Sequence, residues 1–139
     1  MNLKSLIPSV NQVEFHPYWH EDELLDFCKQ NNITFNGYSS LGTPDRAAIL
    51  GTTWNPSPVL LQHPKVIQIA QKYGKTTAQI LLRWSWQQGI VLNPRTKNPV
   101  HMADNMSIFD FELDDESMMI LSFLNNPMSK VCPDSRLML

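Results

Sequence analysis

An α/β fold built on a parallel sheet is predicted for these 139 residues, on three observations. Segments with strand and helix periods follow one another as strand, helix, strand, helices, strand, helix. Right-handed crossovers turn that order into neighbouring parallel strands with helices outside. The continuous apolar run Ile90-Val91-Leu92 suits a strand of a parallel sheet covered on both faces. A composition of 42% hydrophobic and 17% charged residues supplies a core and argues against disorder.

The alternation of Ser9 to Glu14 (SVNQVE), running into His16-Pro17, predicts a short first strand. From Glu21, EDELLDFCKQNN opens with acids, favourable at the positive end of a helix, and repeats apolar residues at Leu24, Leu25 and Cys28. It predicts a helix ending near Asn31 or Asn32. Ile33 to Tyr38 alternates again, with Ile33, Phe35 and Gly37 on one face and Thr34, Asn36 and Tyr38 on the other. Ser39 to Pro58 carries Gly42, Pro44, Gly51, Pro56 and Pro58 and neither hydrophobic period, so it reads as a long loop, functional or disordered.

Pro64 opens a helix with Val66, Ile69, Ala70 and Tyr73 at i, i+3, i+4, i+7 and Gly74 at its end; His63 is its start residue. Thr76 and Gln79 form a capping box for the next helix, apolar nearly all round and therefore covered on several sides, with Trp84 and Trp86 as core or interface residues. After Gly89 comes the strand Ile90 to Leu92. Asn98 caps and Pro99 starts a helix running through Ala103 and Met106. Leu113 and Met118 suit a hydrophobic staple around an Asp114 cap, and Leu121 and Leu124 continue the stripe of a last helix. Asn126 to Leu139 reads as an irregular tail. Three parallel strands leave two edges open, so the chain is expected to be part of a larger architecture or to self-associate through those edges.

A formal charge of −2 gives no global field for nucleic acid or acidic membrane. Cys28 and Cys132 lie far apart without a zinc or disulfide pattern, and no apolar stretch suits a secretory leader or a membrane span. The expected compartment is the cytoplasm. The glycines form neither a dinucleotide fingerprint nor a P-loop, and no nucleophile motif occurs. His16 and His20 are separated by a proline-broken turn, which favours structural roles over a metal pair.

Reactive groups of βα folds gather where strands end at their C-terminal side, here at Gln12 to Tyr18, Tyr38 to Thr43 and Pro94 to Asn98. Arg95, Thr96 and Lys97 directly precede a helix N-terminus, where unpaired N–H groups and the dipole favour an anion. Two readings stay open for them: a phosphate site, or a solvated basic turn.

These segments resemble the C-terminal half of the aldo-keto reductases, a (β/α)8-barrel family that reduces aldehydes and ketones with NADPH. PSVNQVEFHPYW is similar to the family's sixth strand, GYSSLGTPDR to its seventh strand and loop, and KTTAQILLRW to its seventh helix. NPRTKNPVHMADNM is similar to the eighth strand and cofactor signature, and FDFELDD to the segment before the last helix. The resemblance implies a partial TIM barrel with about three parallel strands, the sixth to eighth, and flanking helices. Residues 1–139 would be the C-terminal part of the reductase domain.

Site residues follow by the same resemblance, with NADP(H) as the implied cofactor. Gln12 would bond the nicotinamide carboxamide and Tyr38 would stack on its ring. Ser39, Leu41 and Thr43 match pyrophosphate positions, and Arg95, Thr96, Lys97 and His101 match positions around the 2′-phosphate. Asp104 and Asn105 match residues facing adenine. Asn93, Ser40, Arg95 and His101 depart from the family pattern. The last replaces a permanently charged Arg, which leaves NADPH and NADH both open. The family's catalytic Asp, Tyr, Lys and His come from the other half of the barrel, so no residue here takes a catalytic role. A carbonyl substrate is expected only in the complete barrel. The expectation is the cofactor-binding half of a carbonyl reductase, inactive alone. The alternatives are a non-catalytic module binding nucleotide or a protein, or a truncated product without function.

Overall fold

A computed structural model describes residues 6–43 and 59–126; residues 44–58 of the expected loop and the tail beyond Asn126 lie outside the described residues. β1 (Val10–Glu14), β2 (Thr34–Tyr38) and β3 (Val91–Leu92) form a parallel sheet in the order β1-β2-β3. Among the described residues five α-helices accompany them: α1 (Asp22–Gln30), α2 (Pro64–Tyr73), α3 (Thr77–Gln87), α4 (Pro99–Met106) and α5 (Asp115–Ser122). A 3-10 turn, Leu60–Gln62, leads into α2.

The helices start where their caps dictate. His63 Nδ1 accepts from Lys65 N at 3.2 Å, and Pro64 follows at the first helical position. Thr76 and Gln79 close a reciprocal capping box at the start of α3. Asn98 Oδ1 accepts from Val100 N at 2.9 Å, and Asp114 Oδ1 accepts from Ser117 N at 2.9 Å. Asp114 also pairs with Lys72 across 2.6 Å, and that bond together with its capping bonds holds its carboxyl well below the usual carboxylate range. Lys75 does the same, more weakly, for Asp110 at 2.6 Å.

Register explains which face is covered. Val13 pairs with Gly37 and Gly37 with Leu92, and this row lies against the helices. Phe35 on the same face is buried with Phe15, Cys28, Ile69, Ile80, Leu81, Trp84 and Ile90 in one core. A side chain on Gly37 would have its Cβ 2.9 Å from Ile90 Cγ2 and 3.2 Å from Phe15 Cβ, so the sheet and core close over it only as glycine. The opposite row, Gln12, Asn36 and Val91, faces away from the helices and is exposed or half-buried.

One expectation changes here. The apolar run Ile90-Val91-Leu92 predicts burial on both faces; β3 is instead two residues long, Val91 is 47% exposed, and Leu92 is half-buried. An apolar run signals burial, but β3 is the sheet's last strand and only its helix side is covered. Beside it runs a groove of about 740 Å³ walled by Leu82, Trp86, Met102, Met106 and Phe109. Trp84 is fully buried in the core, whereas Trp86 is 42% exposed at that groove, its ring lying over the Arg83 guanidinium at 4.4 Å.

Candidate functional site at the C-terminal edge of the sheet

Because all three strands run the same way, the loops after β1, β2 and β3 leave from one edge of the sheet. On β1, Gln12 stands opposite Asn36, and its exposed side chain comes within 3.5 Å of Asn36 Oδ1, a loose contact that leaves the amide available. Tyr38 ends β2 in register with Glu14 and is half-buried. Phe15 N donates to the Tyr38 carbonyl at 3.0 Å, fixing the backbone from which the phenol projects.

The chain then turns tightly. Gly42 N donates to Ser39 O at 2.7 Å, and Ser40 Oγ, buried, bonds Gly37 O at 3.3 Å. Ser39 has φ 56°, Gly42 72° and Thr43 43°. For Ser and β-branched Thr the left-handed region is strained, at a cost of about 1–3 kcal/mol each. Such strain persists only where surroundings impose it; here Leu60 packs 3.1 Å from the position of a Gly42 Cβ. The Leu41 side chain packs on the core, so that residue offers a ligand chiefly its backbone.

At the third strand end, Arg95 and Lys97 are exposed, and among the described residues neither forms an ion pair. Thr96 Oγ1 accepts from Asn98 N at 3.1 Å, which leaves its own proton free to donate outward. His101, Asp104 and Asn105 stand on one side of α4 at i, i+3, i+4. His101 is exposed; Asp104 and Asn105 are half-buried. Thr96 and Asn105 also border the apolar groove beside β3. The structure thus puts Gln12, Tyr38, Ser39, Leu41 and Thr43 on or just after the first two strands, and Arg95, Thr96 and Lys97 before the start of α4, with His101 in its first turn and Asp104 and Asn105 in its last.

Polar side chains of α3 hold the end of α4 and the segment that follows it. From α3, Gln79 Nε2 donates to the carbonyls of Asp104 and Ser107 at 3.2 and 3.0 Å, Arg83 donates to Ile108 O at 2.9 Å, and Gln87 clasps Leu113 through both backbone groups. Sequence reasoning assigns none of them a role in holding that segment, because a polar side chain on an apolar helix announces no distant partner. It also passes over Glu14, buried with His16; Glu14 Oε1 lies 3.0 Å from His16 Nε2. Acid and imidazole at i, i+2 on a strand end are the available signal. His16 and His20 take different partners, His20 facing Asp22 and the Ser122 carbonyl. Among the described residues no three His, Cys, Asp or Glu side chains gather as a metal site, and no helix is long and apolar enough to cross a membrane. Burial pushes the Tyr18 phenol above its ordinary range, beside the His63 ring at 6.0 Å.

Comparison with known proteins gives this edge a context. A sequence model described as "Aldo/keto reductase family" matches residues 1–126. Aldo-keto reductase family 1 member A1 of Xenopus tropicalis is 39% identical over 135 residues, 96% of this chain and 39% of that protein. The Homo sapiens member A1 is 37% identical over 135 residues, 96% of this chain and 40% of its own length. Among solved structures, apo Gox0644 superposes with a TM-score of 0.78 at 28% identity, over 94% of this chain and 43% of Gox0644. A variant of Gox0644 in complex with NADPH gives 0.79 at 27% identity over the same shares, 94% and 43%. This chain thus spans about two fifths of the length of the curated relatives it matches. Sequence, strand order and superposition agree, and the chain belongs to the aldo/keto reductase family.

Proposed function

We propose that residues 1–139 form the C-terminal, NADP(H)-holding part of a carbonyl reductase, and that on their own they do not turn over. The observation that carries this reading is the pair of exposed cations, Arg95 and Lys97, beside the capped start of α4 on the strand-end edge. An anion there meets two positive charges, the Thr96 hydroxyl and the helix dipole. Ser39, Leu41 and Thr43 would receive the pyrophosphate through a strained turn already shaped. Gln12 would bond the carboxamide, Tyr38 would support the nicotinamide ring, and Asp104 and Asn105 would face adenine. The nicotinamide supplies hydride to a carbonyl carbon; the residues described here bind and orient it. His101 offers an imidazole in place of the guanidinium fork that grips a phosphate at two points, so the preference for NADPH over NADH is expected to be weak. The proton donor would come from the part of the barrel that relatives have beyond these residues. A cytoplasmic setting belongs to the same reading.

Fluorescence titration of the 139-residue chain with NADPH tests it. Arg95→Ala/Lys97→Ala is expected to weaken binding about tenfold or more and to flatten its salt dependence. No binding by the parent up to millimolar nucleotide, or equal binding by both proteins, would sink the cofactor reading. The same preparation is expected to give no NADPH-dependent reduction of aromatic aldehydes; turnover that co-purifies with the chain would refute the claim of inactivity.

A second reading rests on the groove beside β3, where Trp86, Met102, Met106 and Phe109 are all more than two fifths exposed. Taken alone, these residues and the open β3 edge favour association with a second copy. Sedimentation velocity should show a species larger than 16.0 kDa that grows with concentration; a single monomer at all concentrations would exclude it.

A further inference from the structure

Gln79 joins the start of one helix to the end of another. It is the third residue of α3 and is 5% exposed. Its Oε1 accepts from Thr76 N at 2.9 Å and from the Thr76 hydroxyl at 3.2 Å, while its Nε2 donates to the backbone carbonyls of Asp104 and Ser107 at 3.2 and 3.0 Å. Two lone pairs and two N–H groups are all that a carboxamide offers, so every bond it can make is made. The partners also fix which way the amide points. A backbone N–H only donates and a backbone carbonyl only accepts, so the group cannot be turned over.

The helix it grips has little else to seat it. No side chain of α4 is buried, and only Asp104 and Asn105 are half-buried. Met102 and Met106 wall the open groove and are themselves exposed. The Asn98 cap is local, an Oδ1 bond to Val100 N two residues on, and it starts the helix without tying it to a neighbour. Arg83 and Gln87 reach the segment beyond α4, at Ile108 and Leu113. Gln79 bonds the last turn itself.

We infer that Gln79 is a positioning residue for adenine recognition. This role rests on the proposed nucleotide site, in which Asp104 and Asn105 face adenine. By holding the Asp104 carbonyl and that of Ser107 just past the helix, Gln79 sets where the last turn of α4 stands, and with it the Asp104 carboxylate and the Asn105 amide. A carboxylate accepts a hydrogen bond from the exocyclic amino group of adenine. Hypoxanthine presents a carbonyl oxygen at that position, which a carboxylate repels.

Fluorescence titration of the 139-residue chain with NADPH and with its hypoxanthine analogue tests the role. The parent is expected to bind NADPH about tenfold more tightly than the analogue, the worth of one hydrogen bond to a charged group. Gln79→Glu is the discriminating variant. Its carboxylate still accepts from Thr76, as Glu does in a capping box, but it has no proton to donate to the Asp104 and Ser107 carbonyls. The preference should fall below about twofold while the chain still binds and keeps the parent's circular dichroism. Thr76→Ala cuts the other end of the joint, so it should melt earlier and keep the preference. Arg95→Ala/Lys97→Ala should weaken both nucleotides alike. A general loss of stability lowers both affinities together, whereas the ratio between them reports the placement of the last turn. Where Gln79→Glu fails to fold, Gln79→Met, uncharged and of similar size, carries the same expectation. A preference kept by the Gln79 variants, or absent from the parent while Arg95→Ala/Lys97→Ala still weakens binding, overturns the role of Gln79 and leaves the phosphate site standing. Binding of neither nucleotide by the parent overturns the nucleotide site and this role with it.

Discussion

Trp84→Ala is expected to lower the melting temperature by about 10 °C or more, the largest stability loss among single truncations of this core. Trp84 is fully buried on α3, its ring stacked on Phe15 at 5.2 Å, and its Nε1 bonds Ser122 Oγ on α5. Truncation removes the bridge between the sheet, α3 and α5 at once and leaves a cavity that rigid strands cannot fill. Trp-to-Ala changes in cores cost about 3–5 kcal/mol, a large share of the roughly 5–15 kcal/mol that holds most domains folded. Trp84→Phe keeps the stacked ring and drops only the indole bond, so it should lose about a third as much. Thermal denaturation followed by circular dichroism decides the matter: an alanine variant melting within a few degrees of the parent would mean that the ring contributes little to the fold.

The second large effect is on the candidate site. Gly42→Val should reduce nucleotide binding by more than about tenfold, because two costs fall on one residue. The φ of 72° is left-handed, which a β-branched residue resists, and a Cβ there would come within 3.1 Å of Leu60 Cβ, inside the core side of the loop. The backbone relaxes by moving Ser39 to Thr43, the turn on which the proposed pyrophosphate contacts depend. Gly89→Val is the control. Gly89 shares the left-handed backbone, with φ 81°, but nothing lies within 4 Å of its Cβ position. It should lose stability and leave affinity unchanged. Equal affinity losses in the two variants, or none in either, would separate this loop from nucleotide binding.

The features of this protein that its sequence alone makes legible are those whose partners lie within a few residues. His63-Pro64, the Thr76 and Gln79 box, Asn98-Pro99 and the Asp114 cap all start helices where expected, because a cap is a bond between a side chain and a backbone group two or three positions on. Alternation places Ile33, Phe35 and Gly37 on the buried face for the same local reason. The family, too, is readable from short motifs, since it rests on residue identity at fixed spacing.

Tertiary structure alone decides the rest. It leaves Val91 exposed although its apolar neighbours suggest burial, because coverage depends on what lies beside β3 and not on what β3 contains. It brings His20 to Ser122, 102 residues away, and Gln79 to Ser107, 28 away. It also gathers the candidate residues of three separate loops on one edge of the sheet. No periodicity encodes such pairs. They form only when parallel strand pairing sets the direction of every loop and core packing sets its distance, and both are properties of the assembled chain.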